Sequence, residues 1–427
     1  MRSENRFLRR ICAVCVVIAT ALLTGCGGGG SSGSGGSSSS SSSGSSSGSS
    51  SSSSSSTASN QVTVTVAKSA LTSTRTPNIP TVSVTVCVPG TSTCQTIGNI
   101  QVDTMSYGLR LVNTAASAVL GSLSAETDSS GNAIAECSVF ADGYTWGSVR
   151  RADVKIAGET ASNIPIGILG DMDSTIAAPS SCTSRTTGSS ENTVNAIGAN
   201  GILGIGVAPY DCPTCVTTAS NGTYYSCGSS TCSQTTMALT SQVANPVANF
   251  TSDNNGIILT MPSIDTSGAV SATGTLTFGI GTQSNNTYSA SHKFGTDSSG
   301  NVNSTVLSST SASTFGFFDS GSNGYFFDDS TLAQCSGGTW YCPSPTTTRS
   351  VTVSNKSGSA ASATVTMTIA SESTLSTSNY AFNDLAGTLG LSNVMDFGLP
   401  FFYGKTVYFG YDTATAGTGS QSPYVAY

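Results

Sequence analysis

The chain has 427 residues, only 9% of them charged, and carries a formal net charge of −7. Four arginines and one glutamate fall in the first 26 residues; without them 11 basic face 21 acidic residues, a net of −10. An acidic chain poor in Lys and Arg lacks the electrostatic footprint of a nucleic-acid-binding protein, and its abundant Thr, Ser, Val and Gly fit an exported β-protein.

Arg2, Arg6, Arg9 and Arg10 precede an apolar run from Ile11 to Leu23 that is too short to span as a stable helix. Residues 1–25 therefore read as a targeting segment. It ends at Leu23-Thr24-Gly25-Cys26, which resembles a bacterial lipobox and implies that Cys26 carries lipid as the first mature residue. The competing reading is an ordinary signal peptide with an incidental cysteine. By resemblance to known lipoproteins, Gly27 in place of Asp after the cysteine implies sorting to the outer membrane, so the expected location is the bacterial cell envelope. Residues 26–59 are almost entirely Ser and Gly, a composition that buries no apolar surface. Over about 33 residues such a tether reaches ~30 Å.

The rest divides into a predicted N-terminal lobe, 60–245, and a C-terminal lobe, 246–427. Short alternating runs bounded by Gly, Asn, Asp and Ser predict strands at Gln61–Val66, Thr81–Val88 and Val351–Ser354. Helical periodicity is confined to Thr114–Leu123 and Thr236–Val243. Ten cysteines remain once Cys12, Cys15 and Cys26 are set aside, an even number that predicts five disulfides in an oxidising compartment. Cys87 with Cys94 and Cys335 with Cys342 would close short loops. Cys212, Cys215, Cys227 and Cys232 would staple an excursion, zinc being the rival reading for Cys212-Pro213-Thr214-Cys215.

One local pattern occurs twice, 216 residues apart. Ile100-Gln101-Val102 delivers Asp103 into Thr104-Met105-Ser106, and Tyr107-Gly108-Leu109-Arg110-Leu111 carries the chain away. Phe317-Phe318 delivers Asp319 into Ser320-Gly321-Ser322, followed by Asn323-Gly324-Tyr325-Phe326-Phe327. Two carboxyls around one water form a hydrolytic device: the protonated one polarises a carbonyl while the other takes a proton from water. Close like charges cannot both ionise cheaply, so the pair shares a proton. Thr104 and Ser320 are placed to bond across the two loops, while Ser106, Gly321 and Ser322 support the carboxylates.

Four further stretches, in order along the chain, extend this to a resemblance with the pepsin-like aspartic proteases. Ser138 to Gly143, running on to Ile156, looks like the flap hairpin, with Phe140 where that family usually has tyrosine and Tyr144 nearby. Gly201 to Gly206 is similar to the strand crossing beside the first aspartate. Gly274 to Ile280 resembles the strand that opens the second lobe. Phe397 to Phe402, followed by Thr406 to Phe409, resembles the second crossing strand and its exit. The resemblance spans about residues 80–412 and implies a mostly β, bilobal fold with a cleft between its lobes. The chain also resembles a family of bacterial lipoproteins carrying Asp-Thr-Gly-Ser followed by Gly-Leu-Arg, and Asp-Ser-Gly-Ser-Asn-Gly.

The implied activity is an aspartic endopeptidase with Asp103 and Asp319 catalytic, acting on peptide or protein and needing neither metal nor organic cofactor. Met105 departs from the pattern, which has glycine there; a positive φ or close approach at that position would distort the loop. A silent protein binding a peptide, protein or envelope glycan in its cleft is the alternative. His292 is the single histidine and has no nucleophile elbow beside it, which disfavours a Ser-His-Asp hydrolase. Arg110 is expected in a surface ion pair, and Asp328 and Asp329 in a solvated turn.

Overall fold

The computed structural model describes residues 58–306, 315–356, 361–391, 393–415 and 417–427. The targeting segment, Cys26 and the tether up to residue 57 lie outside the described residues. The rest is mostly strand, and the reason is local. In Pro80–Cys87, Val82, Val84 and Val86 are buried while Ser83 faces solvent, the period-two alternation of a half-buried sheet. Strand Gln61–Val66 turns Val64 and Val66 inward, and Thr347–Ser354 does the same with Val351 and Val353.

Sixteen strands among the described residues join in one sheet that draws on both halves of the chain. Gln61–Val66 is the link. It pairs antiparallel with Ala272–Phe278, Gln61 opposite Thr277 and Val66 opposite Ala272, and meets Pro80–Cys87 through Thr65 with Thr81 and Val66 with Pro80. Thr406–Gly410 extends the same sheet by pairing with Gly256–Thr260. A three-stranded sheet is built from Asn303–Val306, Thr347–Ser354 and Ser362–Ile369, and a four-stranded one carries the second aspartate. Ile202 and Leu203 are buried on the strand Gly201–Ile205, whereas the stretch 397–402 is not one strand: the strand Val394–Phe397 ends at Phe397, and the buried Phe401 and Phe402 fall at a 3₁₀ turn, Leu399–Phe401, with Pro400 inside it.

Helix is scarcer than the sequence pattern implies. The segment 114–123 yields one turn, Ser117–Leu120; Ala116 precedes it without a side-chain cap and Gly121 follows. The segment 236–243 yields only the 3₁₀ turn Leu239–Ser241, where the Gln242 side chain donates to the Met237 carbonyl at 2.9 Å, a local bond that competes with helix. Among the described residues no helix is long and apolar enough to cross a membrane.

All ten cysteines of the folded region pair. Cys87–Cys94 and Cys335–Cys342 close the expected short loops. Cys212–Cys215 and Cys227–Cys232 settle the excursion as two disulfides and remove the zinc reading. Cys137–Cys182, spanning 45 residues, is the one long-range bridge.

Candidate active site

Each aspartate sits at the end of a strand that runs parallel to a crossing strand, and the chain leaves antiparallel to that same strand. Cys94–Asp103 lies beside Gly201–Ile205 with Asp103 opposite Gly204, and Tyr107–Val112 returns along its other edge with Tyr107 opposite Ile205. Phe315–Phe318 lies beside Val394–Phe397 with Phe318 opposite Phe397, and Tyr325–Phe326 returns with Tyr325 opposite Phe397. The duplicated sequence pattern thus becomes a duplicated topology.

The structure brings Asp103 and Asp319 together, both buried. Asp103 Oδ1 accepts from the Met105 N–H at 2.8 Å and the Ser106 N–H at 3.0 Å, and its Oδ2 accepts from the Ser106 hydroxyl at 2.7 Å. Asp319 Oδ1 accepts from the Gly321 N–H and its Oδ2 from the Ser322 hydroxyl, both at 2.8 Å. The loops are stitched to each other. The Thr104 hydroxyl donates to the Phe318 carbonyl at 2.8 Å and accepts from the Ser320 N–H at 2.9 Å; the Ser320 hydroxyl donates to the Val102 carbonyl at 2.8 Å. Gln101, not anticipated, adds a bond from its side-chain amide to the Gly321 carbonyl at 2.8 Å. Burial pushes the Asp319 carboxyl well above the usual carboxylate range, and the charge of Asp103 adds to the rise against the Ser322 and Gly321 donors. The two carboxyls also share a hydrogen bond.

The two loops differ at one position. A Cβ on Gly321 would stand 2.8 Å from Asp103 Cγ, so the second loop has no room for a side chain there. Its counterpart in the first loop is Met105. Neither residue has a positive φ, so glycine is not required for backbone conformation at 105. The Met105 side chain is buried, and its Sδ lies 3.2 Å from where a Cβ on Gly300 would be. The Met105 N–H keeps its bond to Asp103, and the expected distortion of the loop does not occur.

The hairpin of Ala133–Val139 and Gly143–Ile156 is present, closed by the Phe140 N–H donating to the Gly143 carbonyl at 2.7 Å. Phe140 is buried in one apolar cluster with Met105, Ile202 and Phe317; Tyr144 is half-buried and packs on a separate cluster around Trp146. Trp146 meets Tyr225 edge to face at 5.2 Å, a packing role. The hairpin is held along both edges. Tyr224–Cys227 pairs with Ala133–Val139, and Ser189–Ser190 pairs with Gly143 and Tyr144 at the tip. Cys137, on the first hairpin strand, is bridged to Cys182.

Three other expectations resolve differently from one another. His292 is exposed and stacks near Phe294. Arg110 is not on the surface: it is buried, pairs with Glu136 through Nε at 3.1 Å and through Nη2, and reaches Asp211 at 3.3 Å. A buried cation requires such partners, which the sequence pattern could not reveal. Asp328 and Asp329 do not form a solvated turn. Asp329 is buried against Arg349 Nε at 2.7 Å, and Asp328 accepts from the Leu389 and Gly390 N–H groups at 2.9 and 2.8 Å.

Sequence reasoning missed a third acid. Asp396 lies on Val394–Phe397, opposite Phe317 on one side and Phe326 on the other, and is fully buried. Neither of its carboxyl oxygens accepts a hydrogen bond from the described residues. Burial, then the charge of Asp319, push its carboxyl well above the ordinary range; the nearby Ser322 hydroxyl works the other way and Asp103 adds to the rise. The available signal was an acid inside an otherwise apolar strand, one residue before the stretch that resembles the crossing strand.

In solved structures, the chain is similar to an aspartic proteinase from Irpex lacteus, with a TM-score of 0.50 at 15% identity, covering 86% of this chain and 96% of that one. This likeness establishes a mostly β, bilobal, pepsin-like fold. No curated protein matches by sequence. A family model described as "Protein of unknown function (DUF3443)" matches residues 56–427, and the chain therefore belongs to the DUF3443 family.

Proposed function

We propose that this protein is an aspartic endopeptidase held at the cell envelope by lipid on Cys26. The observation that carries the reading is the cross-braced carboxyl pair. Asp319, whose proton is retained by burial, is the acid that polarises the scissile carbonyl; Asp103, bonded by Met105 and Ser106, is the base that takes a proton from water. The proton accepted from water passes to the leaving amine as the tetrahedral intermediate collapses, and the pair returns to its singly protonated state. The carboxyls titrate as a unit, so the pH–rate profile reports the dyad and not either residue.

The substrate is an extended segment of peptide or protein lying under the Phe140 hairpin. The edge pairing of that hairpin favours a second reading, in which the same cleft holds a peptide, protein or glycan without cleaving it. Cleavage of a mixed peptide library by the purified protein from acidic to neutral pH decides between them. Asp103→Asn and Asp319→Asn should each abolish cleavage; library peptides that bind but are never cut would leave the binding reading standing. Membrane fractionation that survives Cys26→Ser would reject the lipid anchor.

A further inference from the structure

The carboxyl pair is closed off from solvent. Asp103 and Asp319 are 1% and 0% exposed, and Phe140 near the hairpin tip is buried in the apolar cluster that holds Met105 of the first aspartate loop and Phe317, just ahead of Asp319. An extended ligand reaches the carboxyls only when this tip lifts. The segment that meets the tip is 170–193, between the strand Glu159–Leu169 and the short helix Val194–Ile197. So long a connection with little regular structure of its own is uncommon in a compact domain and usually has a task.

Its near end is fixed. Asp171 accepts from the Ser148 N–H at 2.8 Å and from Arg150 Nε at 3.1 Å, the Ile176 carbonyl accepts from Trp146 Nε1 at 3.3 Å, and Cys182 is bridged to Cys137. Its far end is fixed too, where the Thr193 hydroxyl accepts from the Ala196 N–H at 3.2 Å and the chain goes on to the crossing strand Gly201–Ile205. Between these anchors Ser184, Thr187, Ser189 and Ser190 are exposed. This same span holds the tip. Ser189–Ser190 pairs with Gly143 and Tyr144, the Glu191 N–H donates to the Tyr144 carbonyl at 2.8 Å, and Asn192 Oδ1 accepts from the Trp146 N–H at 2.7 Å. Hydrogen bonds on so exposed a span open more readily than those of the core. We propose that residues 183–192 are a strap that keeps the hairpin shut over the carboxyl pair, so that the protein is latent until the strap parts from residues 143–146. A ligand that enters only the open state has its affinity scaled down by the open fraction, so parting the strap raises affinity with no change at the carboxyls.

The gate rests on the proposed cleft, whether that cleft cuts peptides or holds them, and its test separates the two. Glu191→Pro removes the N–H that meets the Tyr144 carbonyl, and Asn192→Ala removes the acceptor for the Trp146 N–H. Hydrogen exchange of the whole protein, read by mass spectrometry, follows the hairpin without any substrate. Amides of residues 139–147 should exchange at least about tenfold faster in both variants, with residues 102–106 and 318–322 unchanged. Exchange at 139–147 that matches the parent, or that rises together with both aspartate loops, overturns the strap. The same proteins are then given the mixed peptide library. Both variants should raise kcat/KM by about tenfold or more; where no protein cuts, the protease reading fails and the same rise should appear in the affinity for library peptides. Faster exchange of the hairpin with neither quantity raised would overturn latency.

Discussion

Gly321 and Met105 stand at equivalent positions in the two loops, yet they answer to different constraints. At 321 the constraint is space. A methyl group would come within 2.8 Å of Asp103 Cγ, so Gly321→Ala must push the carboxyls apart. A displacement on the order of 1 Å is enough to lower activity about a hundredfold, and kcat/KM of Gly321→Ala is expected to fall by at least that much. Unaltered kcat/KM would show that the carboxyl pair is not the reacting centre. At 105 the side chain is buried and the backbone is ordinary, so Met105→Gly removes packing and relieves no strain. Denaturant unfolding should show a loss of about 2–5 kcal/mol, as for other large buried side chains that are truncated; a gain in stability would mean that Met105 strains its loop. The paired aspartates were legible because two local patterns repeat. The tolerance of Met105 was not, since φ at that turn and the room beside Gly300 are properties of assembled loops. Asp396 was hidden for a related reason: an acid within an apolar strand reads as a solvent-facing position until neighbours are placed on both sides of that strand.

The hairpin over the site is an element whose strands were predictable and whose restraint was not. The resemblance of Ser138 to Ile156 to a flap hairpin implies its two strands, but the edge partners Tyr224–Cys227 and Ser189–Ser190 come from distant segments. Gly188 packs so closely on the turn that a Cβ there would stand 1.9 Å from the Asp142 carbonyl oxygen. Cysteine parity indicated five disulfides and the short spacings indicated loop closures, whereas the pairing of Cys137 with Cys182 depends on the fold. On the loop-closure model a bridge over this separation stabilises by about 4 kcal/mol. Replacing both cysteines by serine should lower stability by roughly that amount and raise proteolytic nicking between residues 170 and 190. An unchanged unfolding midpoint would mean that the strand pairings alone restrain the hairpin.

At the scale of the molecule, buried acids set the response to pH. Burial lifts Asp384 to about 6, while the unfolded chain releases this proton near pH 4. The native state therefore holds a proton that the unfolded state has lost, and its contribution to stability is complete below about pH 4 and fades as pH rises through about 6. Asp319, Asp396 and Asp211 are displaced in the same direction, chiefly by burial. Thermal midpoints should accordingly decline from about pH 4 to 7, and Asp384→Asn should flatten part of that decline; a midpoint rising throughout this range would contradict the assignment. The fold as a whole was legible because ordered motifs lie along one chain, but the sheet that spans its two halves was not, since Gln61–Val66 finds its main partner more than 200 residues away. That pairing has a mechanical meaning. Tension drawn along Gln61–Val66 loads six registered pairs together in shear, whereas the terminal strand Tyr424–Ala426 holds three pairs on each side. When single molecules are stretched between residues 60 and 427, the terminal strand should release first; early rupture at Gln61–Val66 would refute this order. A protein held from its N-terminal side would then bear load through this six-pair seam and leave the carboxyl pair undisturbed until the opposite end had given way.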